Sequence, residues 1–182
     1  MSKKWQVKDG WLQGCRHMHS PFFGERPQGV TIDLLVVHNI SVPAGSFQNG
    51  NIDKLFLGCM DKKDPAYNKQ TLEVSAHLLI DRLGVVTQYV CFDDRAWHAG
   101  VSEHDGRPDC NDFSIGIELE GSDDIRYTDI QYQVLNDLNQ VLCEHYPLAS
   151  IVGHSDIAPG RKTDPGPSFD WSQVQFNSEE QK

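Results

Sequence analysis

The sequence predicts an α/β (α+β) domain in which helices flank a central mixed β-sheet. Three observations carry that expectation. Thr31–Ser41, TIDLLVVHNIS, and Ser114–Glu120, SIGIELE, are short apolar runs of the kind buried within a sheet. Val74–Cys91 reads as a hairpin, with VSAHLLI and VVTQYVC flanking an Asp- and Gly-bearing turn, DRLG. Thr128–His145 carries a long helical pattern. A chain of 182 residues suits one domain with a sizeable core.

Taken in order, residues 1–30 are rich in Gly, Pro and His without a sustained period. They are expected to form an irregular arm packed on the domain, with one short helical turn near Trp11. His17 and His19 lack a third ligand nearby and read as exposed arm residues. The domain proper is expected over 31–176 and a frayed tail over 177–182. The Thr31–Ser41 run turns polar at His38, which puts that residue at the carboxyl end of a central strand, where open sheets collect ligands. Ile52, Leu55 and Phe56 fall at helical spacing, with Asn51 as the cap. Residues 61–72 are charged and read as a loop. His77 reads as a hydrogen-bonded wall residue within the hairpin.

Phe92–Phe113 is a long polar connection, and connections of that length commonly form walls or lids. In SIGIELE, side chains alternate. Ile115, Ile117 and Leu119 face one way; Ser114, Gly116, Glu118 and Glu120 face the other. Carboxylates on a buried strand are costly unless a metal, a cation or water receives them. Thr128 and Gln131 form a capping-box pattern, and Ile130, Val134, Leu138, Val141, Leu142 and His145 mark one helical face. Tyr146-Pro147 ends that helix. A short strand, IVGH, leads into the loop that ends near Phe169, and Asp170 caps a last short helix.

Composition narrows the function. The formal net charge is −10 and the pI about 5.1. Both nucleic acid and anionic membranes call for basic patches. No apolar run approaches the roughly 20 residues that cross a bilayer. The lysine-bearing start, MSKKWQVKDGWLQG, has no apolar segment after it, so no signal peptide is expected. The five cysteines are scattered and read as free thiols in a reducing compartment.

The candidate chemistry lies in IVGHSDIAPGRKTDPGPSF, residues 151–169. Its prolines and glycines set a backbone path without helix or sheet, which suits a loop that aims polar side chains. His154 and Asp164 are zinc-type ligands. With His38 they make two histidines and one carboxylate, the set that holds a catalytic zinc with one position open.

At this point the chain resembles a known family. LLVVHNIS, VSAHLLI, VTQYV, RAWHAGVS, CNDFSIGIELEG, YTDIQYQ and VGHSDIAPGRKTDPGPSFDW are similar, in order, to segments of the AmpD-type N-acetylmuramoyl-L-alanine amidases. Those cytoplasmic enzymes act on anhydromuropeptides and share a fold with peptidoglycan recognition proteins and phage-lysozyme amidases. The resemblance implies Zn2+ held by His38, His154 and Asp164, with Glu118 as the acid/base and Lys162 as the transition-state cation. By the same matching Asn39, Trp97, His98 and Arg107 line the substrate groove. It further implies a monomer in the cytoplasm that takes an anhydromuropeptide substrate and neither nucleic acid nor membrane. The sequence departs from the family pattern at Glu73 and Asp109, where arginines are common, and Arg107 stands near enough to replace the second. Two other readings compete: a peptidoglycan-binding module without catalysis, and a zinc peptidase.

Overall fold

The computed structural model describes residues 5–61, 63 and 73–176. In chain order its strands are β1 (Gln6–Lys8), β2 (Trp11–Gln13), β3 (Arg16–His17), β4 (Phe23–Gly24), β5 (Leu34–Ile40), β6 (Leu78–Ile80), β7 (Val86–Gln88), β8 (Arg95–Ala96), β9 (Glu103–His104), β10 (Arg107–Pro108), β11 (Ser114–Glu120) and β12 (Ser150–Gly153). The helices are α1 (Asn51–Phe56), α2 (Asp129–His145) and α3 (His154–Ile157). Six strands form the main sheet in the order β12-β5-β11-β6-β7-β3. The first four run parallel, β7 is antiparallel to β6, and β3 is parallel to β7. The expected α/β class with a mixed sheet is the one found, and the predicted hairpin is β6–β7.

The alternation read from SIGIELE organises the two faces. Leu35 and Val37 of β5 join Ile115, Ile117 and Leu119 of β11 in one apolar cluster. There they meet Val134, Leu135, Leu138, Val141 and Leu142 of α2. Leu34 and Val36 point the other way into a separate cluster. The same opposite face of β5 and β11 carries His38 and Glu118. Burial of the α2 stripe supplies most of that helix's stability, at about 1.5–3 kcal/mol for each fully buried aliphatic side chain. Its capping box is formed: Thr128 accepts from the Gln131 amide, and Gln131 Oε1 accepts from the Thr128 amide at 3.1 Å. Ile130 and His145, assigned to the helical face by spacing, sit exposed at the two ends of the helix.

Other expectations are corrected locally. Trp11 lies in β2 of a small β1–β2 hairpin rather than in a helical turn. Asp9 and Gly10 make its two-residue turn with positive φ, a pair of residues suited to that conformation. The arm is therefore not irregular throughout: β3 adds to the main sheet and β4 pairs with β8. The capping residue of α1 is Gly50, and Asn51 is the first helical residue, its amide donating to Asn49 Oδ1 at 2.9 Å. Asp170 does cap a short 3-10 turn, accepting from the Ser172 amide. The 61–72 loop, apart from Asp61 and Lys63, and the 177–182 tail lie outside the described residues.

The arm is held by Arg26. Its guanidinium donates to the carbonyls of Phe92 (2.9 Å), Asn111 (3.1 Å), Asp112 (2.8 Å) and Ser114 (2.9 Å). Burial pushes its pKa down to about 10, so it stays charged at neutral pH. Those four carbonyls hold the polar connection against the start of β11. Arg26→Ala leaves them without a donor and is expected to cost roughly 3–5 kcal/mol. The drop is read from the urea midpoint at unchanged m-value.

Candidate metal centre

The sheet register builds the site. Glu118 pairs with His38 across β11 and β5, and Gly153 pairs with Val37 across β12 and β5. His154, the next residue after Gly153, is therefore level with His38. His154, His38 and Glu118 form one row across three adjacent parallel strands at their carboxyl ends. This is the end of an open sheet where ligand sites collect. Asp164 reaches the row from the irregular loop after α3. That loop is pinned by the Ser155 amide donating to Asp164 O (2.9 Å) and by Asn39 and Tyr127, both donating to Pro165 O (3.1 and 2.8 Å).

The three predicted ligands come together, two deeply buried and one partly so. His38 Nδ1 lies 2.9 Å from His154 Nδ1, and Asp164 Oδ2 lies 3.1 and 3.0 Å from the two nitrogens. Burial pushes the His38 pKa down to about 4, so its ring is neutral at physiological pH. His154 Nε2 contacts the carbonyl of Ala99 at 2.9 Å. A carbonyl can only accept, so a proton is on Nε2, and in the tautomer a metal requires the lone pair on Nδ1 faces Asp164. Two acceptors 3.0 Å apart repel unless a cation lies between them. Four-coordinate zinc separates its donors by about 3.3 Å, close to all three edges of this triangle. Two imidazole nitrogens and one carboxylate are a donor set that zinc accepts. The residues fit the ion. Among the described residues, no other group of His, Cys, Asp and Glu has this arrangement.

Two glutamates of one strand behave differently. Glu120 is saturated: its carboxylate accepts from the Gln48 amide and side chain, each at 2.6 Å, and from the Arg82 amide at 3.1 Å. It holds the 41–50 segment in place. Glu118 Oε2 is buried with no protein partner. Burial first, then the neighbouring Asp164 charge, pushes its pKa well above the ordinary carboxylate range, against an opposing pull from Lys162. A buried, proton-retaining carboxyl with a free oxygen beside a metal-type triad is the arrangement of a general acid/base.

A cavity of about 430 Å3 opens over the row. Its lining includes the apolar side chains of Val42, Pro43, Leu55, Phe56 and Met60 together with Trp97, Glu118 and Lys162. Asn39 and His98 also border it. Asn39 spends its amide on Asp123 Oδ1 (2.8 Å) and Pro165 O, and so holds the Asp164 loop. Arg107 is not at the cavity. Its guanidinium is forked onto Asp33 at 2.9 and 3.0 Å and lies 4.0 Å over the Phe113 ring. The Asp33 pair outcompetes the expected role beside Asp109. Glu73 is exposed, and Asp109 is exposed at a positive φ of 58°. Asp123, Asn111 and Arg161 were not singled out by the sequence reading. Asp123 sits in the GSDD run directly after the informative strand. Asn111 lies in the matched CND segment. Arg161 neighbours Lys162 and donates to the carbonyls of Ala99 (2.7 Å) and Val101 (2.5 Å).

Residues 28–167 match the N-acetylmuramoyl-L-alanine amidase family. The chain is 53% identical over 170 residues to the 1,6-anhydro-N-acetylmuramyl-L-alanine amidase AmpD of Escherichia coli K12, covering 91% of this chain and 93% of that protein. A crystal structure of a selenomethionine AmpD derivative superposes with a TM-score of 0.89 at 51% identity, covering 93% of this chain and 99% of that one. The E. coli amidase AmiD, solved with anhydro-N-acetylmuramic acid-L-Ala-D-γ-Glu-L-Lys, is 29% identical with a TM-score of 0.60, covering 94% of this chain and 65% of that one.

Proposed function

The chain belongs to the N-acetylmuramoyl-L-alanine amidases, and from that premise we propose that it is a zinc-dependent hydrolase of anhydromuropeptides. The bond cut is the amide between the lactyl group of 1,6-anhydro-N-acetylmuramic acid and L-alanine, in the recycling of cell-wall peptidoglycan. The observation that carries this reading is the His154–His38–Glu118 row completed by Asp164.

His38, His154 and Asp164 would hold the ion. When bound, zinc supplies a Lewis acid that polarises the amide carbonyl and brings the pKa of a ligated water towards about 7. Glu118 accepts the proton of the attacking water and delivers it to the departing amine of L-alanine. Its raised pKa brings it closer to the water and the amine it exchanges with: the carboxylate is a stronger base towards the attacking water than an ordinary one, and the acid it becomes can still protonate the more basic departing amine. Lys162, which borders the same cavity, would stabilise the developing oxyanion. The apolar wall of Val42, Leu55 and Phe56 shields one side of the substrate from water, and Trp97 offers a flat face to the sugar.

The experiment is incubation of the zinc-loaded chain with an anhydromuropeptide and mass analysis of the products. The expected products are free 1,6-anhydro-N-acetylmuramic acid and an intact peptide with an N-terminal L-alanine. Binding without cleavage would favour a recognition module, and cuts between amino acids would favour a peptidase. Lys162→Ala should retain zinc and lower kcat by roughly 10²–10³, as loss of one oxyanion donor does. Single-turnover rates at saturating substrate check this.

A further inference from the structure

We infer that His98 is a positioning residue that sets the metal-binding tautomer of His38, and that His98 and Ala99 together hold both imidazoles from one backbone segment. The inference rests on the zinc reading above and adds residues to it. The sequence assigned His98 to the substrate groove, but its ring nitrogens are both engaged within the protein.

The direction of each hydrogen bond follows from the end of the chain. Ser114 Oγ lies 2.5 Å from the carbonyl of Cys110. The carbonyl only accepts, so the hydroxyl proton points there. Ser114 Oγ must then accept from its other neighbour, His98 Nε2, at 3.1 Å. With its proton on Nε2, neutral His98 presents a lone pair at Nδ1. That lone pair lies 2.9 Å from His38 Nε2 and takes its proton. His38 is left with a lone pair on Nδ1, aimed at His154 Nδ1 and Asp164 Oδ2. One backbone carbonyl thus dictates, through a hydroxyl and two rings, which nitrogen of His38 is free for the metal.

His154 is set by the adjacent residue, since Ala99 O takes the proton of His154 Nε2. The two acceptors are held as a unit. Asn111 Oδ1 accepts from the amides of His98 (3.1 Å) and Ala99 (2.8 Å). The ring of His98 lies against Gly116, where any Cβ would overlap it. This accounts for the glycine in an otherwise apolar strand. Outer groups of this kind orient ligand rings, and their loss typically weakens metal binding by about 10–100-fold.

Zinc affinity of the full chain, measured by competition with a chromophoric chelator, tests the relay. His98→Leu fills the space without an acceptor and should bind zinc about 10–100-fold more weakly. His98→Asn, whose Oδ1 replaces Nδ1, should recover most of the affinity. Equal affinity in wild type and His98→Leu would overturn the relay while leaving the zinc reading intact. A wild-type chain that binds no zinc would remove the zinc reading itself. A second measurement needs no variant. Long-range 1H–15N spectra of the zinc-loaded wild type should show His98 as the Nε2–H tautomer, and the Nδ1–H tautomer would overturn the relay.

Discussion

Glu118→Gln should keep zinc and the fold and lose roughly 10²–10⁴ in kcat. The amide matches the carboxyl in shape but cannot carry a proton between water and amine. Among the described residues the one other carboxyl that borders the cavity, Asp164, belongs to the ligand triad and is not free to take over this role. The same substitution has a signature away from activity. The folded protein holds the Glu118 proton to a higher pH than the unfolded chain does. Below the unfolded pKa both states are protonated and the residue is neutral to stability. As pH rises past it, the unfolded chain releases its proton and the folded state loses ground until its own raised pKa is passed. Metal-free Glu118→Gln should therefore be more stable than metal-free wild type at pH 7.5, and the gain should vanish at pH 3.5. Thermal unfolding of the chelator-treated proteins at the two pH values reads this difference. Near wild-type turnover in the variant would remove Glu118 from the reaction.

Asp164→Ala should lower zinc affinity by about 10²–10³, near a quarter to a third of the roughly 10–16 kcal/mol that structural zinc sites supply. Asp164 is the carboxylate of the triad, and two imidazoles remain without it. Elemental analysis after dialysis at submicromolar zinc should show a largely metal-free variant, and stoichiometric zinc would mean that another group ligates. Wild type should also gain thermal stability with added zinc, as any ion that binds only the native state requires, and Asp164→Ala should gain little.

The parts of this fold that were legible in the sequence are those where a pattern repeats. The β5 and β11 runs, the β6–β7 hairpin and the α2 stripe each reverse or recur within a few residues. The triad was legible through the matched segments rather than through spacing, since His38 and His154 lie 116 positions apart. The arm strands were not legible because they are two or three residues long, and Arg16 of β3 finds its partner, Thr87, 71 positions away. Arg107 was placed by matching at the groove, yet Asp33 captures it away from the cavity, and Asn39 borders the cavity with its amide bonded to Asp123. Charge pairs between distant segments leave no local trace. Arg26 reads as an ordinary exposed arginine until the carbonyls that gather round it are seen.

The row of side chains across β12, β5 and β11 bears on how such a chain can change length. Insertions in the 41–50 segment or between β9 and β10 leave the strands as they are. One residue gained or lost inside β5 or β11 turns every following side chain to the opposite face. His38 or Glu118 would then point at α2, in a protein still apolar enough to collapse. Tolerance to indels should thus drop to nothing along three short strands and stay high in the turns between them, and a deletion scan would draw that boundary residue by residue.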